Sequence, residues 1–172
     1  MSDAITVAQE TFERYAKLKA LYLILGICVT DVAAMSMYKD ISMGQERDLM
    51  FDCGLALITA VGLITAMAAA FDIPRELRER TADVVLTKAD GRPSFIYGKL
   101  LGIGALCIFN IAIVTAGSSV AIMLATDEFP VRFIQAAALI AGESLVLTGA
   151  AIFFATFLSD SAAAIGTFLV YA

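Results

Sequence analysis

The chain has 172 residues, 60% of them hydrophobic, with a mean hydropathy of +0.84 and a formal net charge of −5. Soluble domains run nearer about 45–50% apolar, so this excess excludes one small water-surrounded core and points to a polytopic membrane protein. The negative charge gives no basis for nucleic-acid binding, and the absence of histidine removes the commonest general base and metal ligand.

Residues 1–19 come first. Ile5, Ala8, Phe12 and Tyr15 recur at helical spacing behind Ser2 or Asp3 as an N-cap. This pattern predicts a short amphipathic helix on the inner leaflet that turns into the first span. A spanning helix needs about 20 mostly apolar residues. Ala20–Tyr38 supplies 19, interrupted by Asp31, and is too long for the apolar core of a cleaved signal peptide. Leu49–Phe71 supplies 23, with Asp52 near its start.

The polar segment 72–99 follows. Asp72 and Pro74 suit the first positions of a helix, as cap and as a residue whose missing N–H costs nothing there. Glu76 and Arg80 form an i,i+4 pair in the favourable order. Leu77, Val84 and Val85 add an apolar stripe. Ala89-Asp90-Gly91-Arg92-Pro93 reads as a turn. Phe95 to Lys99 leads back into the bilayer, with Tyr97 and Lys99 as interface anchors. The expectation is a short charged helix, a turn and a re-entry. The positive-inside rule accounts for the arginines of such a loop, but not for Glu76, Glu79 and Asp83 or for the stripe. A mixed-charge amphipathic helix lying along a membrane is a docking surface.

Leu100–Ala125 offers 26 residues without a charge, and Phe133–Leu158 offers 26 with one, Glu143. Ser161–Ala172 has 12 residues, which as a helix rise about 18 Å, short of the roughly 30 Å hydrocarbon core. The expectation is a fragment cut within a fifth span, with a re-entrant segment as the other reading. Lys and Arg set the orientation. With the N-terminus in the cytoplasm, nine of them lie inside and three outside. Cys28, Cys53 and Cys107 each sit within an apolar run and read as free thiols rather than a disulfide or zinc framework.

Taken together, the loop and its flanks resemble the ABC-2 type permeases, membrane subunits of ATP-binding-cassette transporters. The resemblance rests on Glu76, Thr81, Leu86, Lys88, Arg92, Phe95, Gly98 and Lys99, in that order. "TFERYAKLKALYLIL" is similar to the family's entry into its first span, "SMGQERDLMFDCGLA" to the start of its second and "FFATFLSDSAAA" to the end of its fourth. The chain departs from the family at Ala89, Asp90 and Gly91, where Pro, an aliphatic residue and Ser are usual. The family also carries more spans than are read here. The resemblance implies an all-α transmembrane bundle forming one domain in the inner membrane. It implies a second permease copy or a homologous permease, and export rather than import. It also implies a separate ATPase subunit seated on the segment 72–99 as a coupling helix. Arg75, Glu76, Arg78, Glu79, Arg80, Thr81, Lys88 and Arg92 are the residues expected to make that contact, through charge-assisted bonds.

The chain itself has no G-x-x-x-x-G-K-[ST] run with which to cradle a nucleotide phosphate, so ATP hydrolysis is expected in the partner. No cofactor is expected. Asp31 and Glu143 lie within spans, where an acid costs roughly 2.5–3.5 kcal/mol near the centre and needs a partner or a wet cavity. They are candidates for an intramembrane polar site. Their rival role is a structural hydrogen bond between helices. Gly98 and Gly102 form a G-x-x-x-G, extended by Gly104, Ala112 and Ala116, and read as packing within the bundle. Asn110 and the Ser118-Ser119 pair are candidates for hydrogen bonds across it. Two rivals to the permease remain. One is a secondary transporter or channel acting alone through Glu143 and Asp31. The other is a membrane anchor that holds a cytoplasmic partner and transports nothing.

Overall fold

The computed structural model describes residues 6, 8–9, 11–13, 26, 30, 46–78, 91–126 and 129–172. The described residues are helical apart from short connections, with no strand among them. Four continuous helices appear: α1 (Glu46–Arg78), α2 (Gly91–Thr126), α3 (Val131–Phe157) and α4 (Asp160–Tyr171). Three are long and apolar enough to cross a membrane, through Asp48–Phe71, Ile96–Leu124 and Val131–Phe157. These agree within a few residues with three of the spans expected from the sequence. The expected first span, 20–38, lies outside the described residues except for Gly26 and Thr30, which are helical and exposed. The last apolar run forms the 12-residue helix α4.

Local signals at the ends of α1 and α2 act differently from their sequence reading. Asp72 and Pro74 do not start a new helix, because α1 continues through both to Arg78. Pro74 lies within α1, so the Ala70 carbonyl four residues before it receives no helical N–H, and the helix continues past that lost bond to Arg78. Gly91-Arg92-Pro93 is not a turn but the first turn of α2. There a proline N–H would have had no intrahelical acceptor. The polar connection is therefore carried on two helical stems. The 72–78 stem extends about 10 Å past the apolar part of α1 and the 91–95 stem about 7 Å before that of α2, at 1.5 Å per residue.

The packing order follows from close approaches. Gly54 lies beside Ser118, Gly62 beside Ile111 and Thr65 beside Asn110, so α1 and α2 run antiparallel. Gly54 also meets Phe133 and Gly62 meets Ser144, so α1 and α3 run parallel. Leu158 is extended and breaks the chain between α3 and α4, and Ser159 takes the N-cap position of α4. Gly166 of α4 then packs on the Phe154 ring. α1 and α3 each touch all three other helices.

The core has two parts. Met50, Ile58, Val61, Val114, Ile122 and Phe133 fill one, and small residues such as Ala69, Ala70, Ala151 and Ala155 close the other. Glycine decides how near α1 can come to α3. A Cβ at Gly54 would lie 2.8 Å from Phe133 Cε2, so the fully buried Phe133 ring fits only because position 54 has no side chain. Phe51 flanks the same ring at 5.7 Å between centroids.

Hydroxyl groups in the interior are mostly returned to their own helices. Thr59, Thr65, Ser144, Thr148 and Thr167 each donate to the carbonyl four residues earlier at 2.8 Å. In hydrocarbon such local bonding avoids an unsatisfied donor.

Candidate functional site

Two regions could act on something other than the bilayer: the end of the bundle that bears the polar loop, and a polar seam in its interior. At the loop-bearing end, antiparallel α1 and α2 bring their stems out on the same side. Arg75, Glu76 and Arg78 fall on the last turns of α1, and Arg92 on the first turn of α2. The structure thus places four of the eight expected contact residues on adjacent stems at one end. Glu79, Arg80, Thr81 and Lys88 lie outside the described residues.

The N-terminal residues reach the same end. A Cβ at Gly102 would meet the Ala8 carbonyl oxygen and Thr11 Cβ, each at 2.9 Å. Phe12 meets Phe109 edge to face, with centroids 5.9 Å apart. Thr11 is only 4% exposed. The described part of the N-terminal helix therefore docks along the first half of α2, where the sequence suggests a helix resting on the leaflet. This contact occupies Gly102, in keeping with a G-x-x-x-G used for packing inside the bundle.

The two expected interface anchors behave differently. Tyr97 is 63% exposed, whereas Lys99 is only 2% exposed. Lys99 stands one turn before Gly102, and the surrounding protein encloses it. The sequence reading has Lys99, like Tyr97, as an interface anchor.

The interior seam is built from neutral groups. Asn110 Nδ2 donates to Thr65 Oγ1 at 3.5 Å, a long bond that links α2 to α1. The buried Cys107 thiol lies beside Thr148 and Ser144, where α2 meets α3. Gly62 of α1 lies against Ser144. Three helices thus meet through an amide, a thiol and three hydroxyls near the middle of their spans. Cys53 and Cys107 are both free thiols, and Cys28 lies outside the described residues. Asn110 Oδ1, Thr115 Oγ1 and Ser119 Oγ are buried and have no hydrogen-bond partner among the described residues. Of these residues the sequence reading has Asn110 and Ser119 as candidates for hydrogen bonds across the bundle and Cys107 as a free thiol, but not Thr65, Ser144 or Thr148. The i,i+4 pair Ser144 and Thr148 was an available signal, but spacing alone does not say which face turns inward.

The acids are not part of the seam. Glu143 is exposed at the centre of α3, pointing away from the adjacent buried Ser144. Asp31 lies outside the described residues. Asp52 is exposed near the start of α1. On the outside of the bundle, α2 and α3 leave a groove of about 510 Å³ between Ile108, Ala112, Ala116 and Val120 on one wall and Ile134 and Ala138 on the other. No group of three His, Cys, Asp or Glu side chains among the described residues is placed to hold a metal ion.

No family model, no curated protein and no solved structure matches the chain.

Proposed function

We propose that the chain is the membrane subunit of an ATP-driven transporter of the ABC-2 permease type, worked by a separate ATPase subunit that seats on the segment 72–99. The observation that carries this reading is the pair of helical stems. α1 and α2 continue past the apolar zone as unbroken helices, and positions 75, 76, 78 and 92 fall on their extensions at one end. A loop needed only for orientation requires positive charge, not rigid supports. The ordered motif from Glu76 to Lys99 and its resemblance to the permease family support the same reading.

In this mechanism the stems act as levers. Displacement of the loop by the ATPase passes along α1 and α2 to the Thr65–Asn110 contact and the close approach of Gly62 to Ser144. Small residues and weak, neutral hydrogen bonds at these points allow helices to slide without breaking a charged pair. The chain supplies the membrane path and coupling surface. The partner supplies nucleotide chemistry. A second permease copy completes the path, which runs outward, with the N-terminus and the loop on the cytoplasmic side of the inner membrane.

The test is purification of the full chain from its native membrane, followed by identification of co-purifying proteins. An ATPase subunit at defined stoichiometry is the expected result. One observation favours a second reading. Glu143 is exposed at the centre of α3, where an isolated acid is costly. That placement suits a stand-alone transporter that uses the carboxylate. Transport by the purified chain in vesicles without any ATPase, abolished by Glu143→Gln, is the outcome that second reading requires.

A further inference from the structure

We draw no further inference here: the strongest candidate, the groove of about 510 Å³ that α2 and α3 leave on the outside of the bundle beside Thr115 and Ser119, is an unpartnered apolar face, and nothing in the structure shows what covers it.

Discussion

Gly62 of α1 and Ser144 of α3 approach so closely that a side chain at position 62 would collide with the Ser144 hydroxyl. This contact sets the spacing of the two helices at the middle of the bundle. Gly62→Val is expected to lower stability by about 1–3 kcal/mol, the usual cost of overpacking a filled core. Gly142→Ala and Gly149→Ala are the controls, since a Cβ at either position meets nothing within 4 Å. They are expected to be neutral or to stabilise by up to about 1 kcal/mol, the helix-propensity gain of alanine over glycine. Thermal unfolding of all three variants in one detergent checks the order.

The Thr65–Asn110 bond makes a prediction about sign. Asn110 already has an acceptor without a partner among the described residues, and its one bond is long. Asn110→Leu removes both the bond and the unsatisfied acceptor, so a change within about 1 kcal/mol is expected. Thr65→Val keeps the shape but strands the whole Asn110 amide, and is expected to cost about 1–3 kcal/mol. Stability measured by denaturation in mixed micelles should therefore fall more for Thr65→Val than for Asn110→Leu.

Docking of the N-terminal residues on α2 is checked by thiol labelling. In a background without the native cysteines, Thr11→Cys is expected to react slowly with a polar maleimide and Glu13→Cys rapidly, because Thr11 is buried and Glu13 exposed. Adding Gly102→Leu removes the space that Ala8 and Thr11 occupy. Thr11→Cys should then label at a rate close to that of Glu13→Cys. Unchanged protection would mean that these residues are held elsewhere.

Three of the spans were legible in the sequence because long uncharged runs leave few alternatives once the chain is too apolar for water. The ends of α1 and α2 were not. Pro74 and the Ala89–Pro93 run are strong local signals, but each is compatible with two places in a helix. Pro74 is carried inside α1 at the loss of one backbone bond although its neighbours suit a first turn, and Pro93 fits an opening helical turn as well as a reverse turn. Lys99 was misread for a related reason. The interface rule describes a helix alone in lipid, while here the protein encloses Lys99, which is only 2% exposed. Of the candidate contact residues, Arg75, Glu76, Arg78 and Arg92 gained a position on the helical stems. The interior seam escaped notice because serine and threonine that bond to their own helix look alike on a buried and on a lipid-facing side. Only the rotation of each helix, set by Gly54 and Gly62 against Phe133 and Ser144, tells the two apart.

Glu143 separates the coupled permease from the stand-alone transporter. If the loop is the working element, Glu143→Gln leaves ATPase association intact. It should also improve membrane insertion of α3, because the amide removes an acid whose cost is roughly 2.5–3.5 kcal/mol at a span centre. Insertion efficiency of the α3 segment and yield of the associated ATPase are the two readings.

The most direct measurement is co-purification of the ATPase subunit with three forms of the full chain: native, Arg78→Glu with Arg80→Glu, and Arg132→Glu. Arg132 is exposed at the start of α3, at the end of the bundle opposite the loop. The account expects the ATPase with the native chain and with Arg132→Glu, and its loss from the double reversal while that variant stays folded and membrane-embedded. An ATPase retained by the folded double reversal, or none recovered with the intact native chain, would contradict it.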